Sequence, residues 1–131
     1  INSGYDRVVY NELDLICAKP VSWAFDQMTK PAACAPMTFE GKHPETGLFY
    51  ADCAHMKAID FVAKYNWRGP CVPEGERRMM NILGDDLELL PLKGARGQLW
   101  DEPMDWCTHL TMEQFAQMLR NNGRDDLAGM L

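Results

Sequence analysis

Apolar residues recur with helical spacing most regularly near the end of the chain, at Met112, Phe115, Ala116 and Leu119. That i, i+3, i+4, i+7 rhythm is the mark of an amphipathic helix. Thr111 stands at its cap, Gln114 three residues on completes a capping box, and Gly123 follows Arg120 as a stop signal. A second helix is predicted from Asp52, as N-cap, to about Asn66, with Met56, Ile59, Val62 and Ala63 on one face. Trp67-Arg68-Gly69-Pro70 ends it. A third begins at Pro73-Glu74-Gly75-Glu76, where proline and acids suit the first turn, and runs through Met79, Met80, Ile82 and Leu83 to Gly84.

Before Asp52 the pattern changes. Val8 to Ala18 is rich in β-branched residues and is predicted as a strand. Pro20, Pro31 and Pro36 leave room for a short helix from Val21 to Met28, with Ser22 as its candidate cap. Met37 to Glu40 and Leu48 to Ala51 flank Gly41 to Gly47, which predicts a hairpin with a long loop and a solvated His43. Pro91 interrupts the apolar run Leu87 to Leu92, and Lys93 to Gly97 reads as a flexible turn. The expected fold is therefore one domain, mainly α with a small N-terminal β element. Residues 1–51 form the β-containing part and 52–131 the helical part.

Composition narrows the function. At 131 residues the chain is long enough to bury a core of its own. A net charge of -6, with basic residues scattered, argues against nucleic acid as a partner. No apolar run is long enough to span a bilayer, so no membrane role is expected. Nine methionines and five cysteines without a disulfide-like spacing suit a cytoplasmic protein. The glycines of Lys93 to Gly97 lack the spacing of a phosphate loop.

Two stretches carry candidate chemistry: Asp52-Cys53-Ala54-His55 and Asp105-Trp106-Cys107-Thr108-His109. If the pairs meet, Cys53, His55, Cys107 and His109 make a Cys2His2 set suited to zinc. Against this, one intervening residue is short for a zinc ligand pair. If Asp52 caps a helix, Cys53 and His55 also point roughly 200° apart around its axis. Core packing of both cysteines is the plainer reading. A reactive Cys53 thiol at a helix start, with His55 or His109 as base, is a third. The acidic clusters Asp85-Asp86-Glu88 and Asp101-Glu102 read as solvated faces. Trp100, Met104, Trp106, Met112 and Phe115 are candidate partner contacts, because aromatic residues and methionine favour interfaces.

From about Phe61 onward the order of features resembles the LigA-type small subunit of protocatechuate 4,5-dioxygenase and related type II extradiol dioxygenases. Phe61-Val62-Ala63-Lys64-Tyr65, Pro73-Glu74-Gly75-Glu76-Arg77-Arg78, Gly84-Asp85, Leu89-Leu90 and Gly94-Ala95 carry the likeness, with Leu110 to Leu119 and Gly123-Arg124 the closest part. The resemblance implies a helical, non-catalytic domain packed against a larger, iron-holding subunit. The first fifty residues and both Cys-x-His pairs lie outside it. The expected function is thus a non-catalytic accessory domain that binds a larger subunit or itself and holds no cofactor. A zinc-stabilised module and a cysteine-dependent enzyme are the alternatives.

Overall fold

A computed structural model of the chain describes residues 4–36, 44–99 and 101–131. Seven strands occur among them. β1 (Arg7–Asn11), β4 (Pro44–Asp52), β3 (Ala32–Pro36) and β5 (Leu87–Leu89) form one sheet in that order. β2 (Leu15–Cys17), β7 (Trp106–Thr108) and β6 (Gly94–Arg96) form the other. β4 runs antiparallel to β1 and β3, and β5 joins β3 in parallel. In the second sheet β7 is antiparallel to β2 and parallel to β6.

This α+β arrangement corrects the expected helical fold with β-structure confined to the first 51 residues. β5, β6 and β7 all lie beyond residue 86. The reason is that β3, Ala-Ala-Cys-Ala-Pro, is buried at every position, so it must have neighbours on both edges. β5 supplies the second edge from far along the chain. A continuously small and apolar strand of this kind shows no alternation for periodicity to detect. Lys93 to Gly97 likewise holds β6 instead of a flexible turn, anchored where the Lys93 amide donates to Asp105 Oδ2 at 2.9 Å.

The helices follow the capping signals more closely than the lengths. α1 (Cys53–Ala58) starts at Asp52, whose carboxylate accepts the His55 amide at 2.8 Å. It ends early. Asp60 takes φ 54°, and a separate α2 (Phe61–Tyr65) begins after it. That left-handed residue resets the helical phase, so Val62, expected inside, is 61% exposed, while Phe61 and Tyr65 turn toward the sheet. α3 (Glu76–Leu83) ends at Gly84 as expected. α4 (Met112–Asn121) carries the complete Thr111–Gln114 capping box, and a short α5 (Asp125–Ala128) closes the chain. The segment Val21–Gln27 is a 3-10 helix capped by Pro20 without help from Ser22.

β3 and β4 are antiparallel neighbours, as a hairpin requires. The Met37–Glu40 half of that prediction and His43 lie outside the described residues. One core cluster links the two sheets through Leu15, Tyr50, Leu90 and Trp106. Another lies beneath α4 and α5, with Met104, Cys107 and Met118. A third, of Ala32, Ala51, Met56 and Leu83, seals α1 and α3 onto the larger sheet. Among the described residues no helix is long and apolar enough to cross a membrane.

Candidate functional site

The two Cys-x-His pairs belong to different parts of the fold. Cys53 is buried at the start of α1, and His55 on the same helix reaches Asp86 through Nε2 at 2.9 Å. Cys107 is buried at the centre of β7, while His109, at φ 60°, pairs through Nε2 with Asp14 at 3.0 Å. Each histidine thus meets a carboxylate. Among the described residues no three His, Cys, Asp or Glu side chains gather as a metal-holding group. Alternation about the helix axis separates Cys53 from His55, as its geometry demands.

Cys107, His109, Met112 and Phe115 do share one hollow of about 360 Å³, with Asp14 and Ile16. Its chemistry is limited. Burial, and secondarily the neighbouring Cys17 thiol, pushes the Cys107 thiol up to about 11. At neutral pH it is protonated and a poor nucleophile. Met112 is exposed, but Met104 and Trp106 are fully buried and build the core instead of a partner surface. Trp106 is held there by strand pairing with both β2 and β6. Trp100 lies outside the described residues.

A different site emerges between the larger sheet and the helices. Tyr10 of β1 stands opposite Phe49 of β4 in the strand register. Phe61 and Tyr65, one helical turn apart on α2, stack with centroids 5.9 Å apart and planes inclined by 11°. These four rings, with Met79 of α3, line a groove of about 320 Å³. Glu12, Thr46, Gly75 and Glu76 complete its lining, and the Thr46 hydroxyl donates to Glu76 Oε1. The walls are apolar and aromatic, with two carboxylates and no Lys or Arg among the described lining residues.

A further hollow is bordered by Lys64, Arg77 and Arg78. There Arg78 is already engaged with the Tyr65 and Lys64 carbonyls. The aromatic groove is therefore the candidate site. Its rings and the Met79 thioether come from four separate elements, so composition along any one segment does not reveal it. One local signal existed: the i, i+4 pair Phe61 and Tyr65.

Comparison with protein-family models, with curated proteins and with solved structures yields no match.

Proposed function

We propose that this chain is a non-catalytic interaction domain that packs against a larger partner protein, with the groove between β1, β4, α2 and α3 as the seat. The observation that carries this reading is the aromatic lining itself. Tyr10 is 57% exposed and Phe49, Phe61, Tyr65 and Met79 are half-buried, so the rings stand at the surface, where a second molecule can cover them. Side chains of these types contribute most of the binding energy in protein interfaces. Cys53, the candidate nucleophile, is buried at the start of α1, and His55 is engaged with Asp86, which weighs against cysteine catalysis.

The reading has the form that the small-subunit resemblance implied, a domain that serves a larger chain. It rests on the groove and not on that resemblance, which no comparison bears on. The cysteine and methionine content suits work in the cytoplasm.

A photo-crosslinking residue in place of Tyr10 tests the proposal in cells. The expected result is one defined covalent adduct with a larger partner protein, absent when the same group replaces the exposed Met130. Adducts that are equally diffuse at both positions, or none at position 10, would end the reading.

A further inference from the structure

We infer that the groove takes a basic segment of the partner, with a Lys or Arg side chain laid between the rings. This rests on the interaction-domain reading above and specifies the chemistry of what docks. The first ground is charge. The side chains charged at neutral pH among the described lining residues are the carboxylates of Glu12 and Glu76, and the whole chain carries -6. An acidic rim on an acidic protein draws positive partners and repels negative ones.

The second ground is the wall chemistry. Four aromatic rings and a thioether offer apolar surface for an alkyl stem and negative ring faces for a cationic head. Glu76 is oriented for this, because its Oε1 accepts the Thr46 hydroxyl while the carboxylate lies among the groove lining. A purely hydrophobic guest would leave both carboxylates desolvated without a counter-charge, which disfavours it.

The third ground is access. β1 is the outermost strand of its sheet, with β4 as its only strand neighbour among the described residues. An extended segment running beside β1 passes Tyr10 and Glu12 in succession. Such a segment could run along β1 with its backbone while one basic side chain enters between the rings.

The test is selection from a phage library of random peptides on the full chain, followed by fluorescence titration of the enriched peptides. The expected winners contain Lys or Arg beside an apolar residue. They should bind the parent about tenfold or more tightly than the Glu12→Gln/Glu76→Gln double variant, and weaken as salt is raised. Circular dichroism of the double variant confirms an intact fold.

Apolar winners without Lys or Arg, or equal binding to the double variant, would overturn the basic-segment inference and leave docking at the groove standing. Winners that bind Tyr10→Ala as tightly as the parent would remove the groove itself, and the interaction-domain reading with it. A failure to enrich any peptide overturns the inference, while crosslinking at position 10 still judges the wider reading.

Discussion

Gly94 lies directly against the indole of Trp106: a Cβ placed on Gly94 would sit 1.7 Å from Trp106 Cε2. The two are partners in the parallel pairing of β6 and β7, and Trp106 is the largest fully buried side chain among the described residues. Only a residue without a side chain leaves room for that ring so close to the neighbouring backbone.

Gly94→Ala should therefore destabilise the domain by about 3 kcal/mol, at the upper end of overpacking effects. The urea midpoint should drop and the near-ultraviolet dichroism of tryptophan should change. A variant with unchanged stability would mean that β6 does not pack against Trp106 in this way.

Asp60 holds a left-handed conformation between α1 and α2 and makes no side-chain cap bond. Asp60→Gly removes the Cβ strain and loses no hydrogen bond, so stability should rise by about 0.5 kcal/mol. Asp60→Val should lower it by about 1–2 kcal/mol, since a β-branched residue tolerates positive φ poorly. Paired thermal melts distinguish the two signs.

Burial pushes the thiols of Cys17 and Cys107 from 9.0 up to about 11. A pKa raised by folding means that the protonated form is favoured in the folded state. The corresponding stability is complete below 9.0 and is lost as pH climbs through about 11. Urea midpoints should fall across that alkaline range. The fall should be shallower in Cys17→Ala/Cys107→Ala, even though the double variant starts from a lower stability. In the folded parent at neutral pH, iodoacetamide should label both thiols far more slowly than in the unfolded chain, as read by mass spectrometry.

Glu88 binds the turn before β3. Its carboxylate accepts the Lys30 amide at 2.8 Å and the Thr29 hydroxyl at 2.9 Å. Burial by itself would raise this carboxyl, but hydrogen bonds from the Lys30 and Thr29 amides and the Thr29 hydroxyl, together with the Lys30 charge, outweigh it and hold it below 4.5. A lowered carboxyl stabilises the fold above its unfolded value and loses that contribution as pH falls through the folded one. Glu88→Gln should cost about 0.5–1 kcal/mol at neutral pH, a modest figure because the site is partly solvated. The gap between parent and variant should close as pH falls below 4.5.

The local signals along the chain decided the helix starts and stops. Asp52, the Thr111–Gln114 box, Gly84 and Gly123 act through backbone groups within a few residues, so their effect is readable without any knowledge of the fold. Val8 to Ala18 was legible as extended chain through its β-branched content, but the fold divides it into β1 and β2, which join different sheets. Tertiary structure decided what depends on distant pairing. It drew β5 to the buried edge of β3, made a strand of Gly94–Arg96 beside Trp106, and broke the expected helix at Asp60. Apart from the i, i+4 pair Phe61 and Tyr65, the candidate site belongs to this second group. Tyr10, Phe49, Phe61 and Met79 lie far apart along the chain, and only the pairing of β1 with β4 and the turned phase of α2 place them around one groove. Long-range packing of this kind is governed by the shape and burial of surfaces that meet only in the folded chain, and periodicity within a single segment contains no record of it.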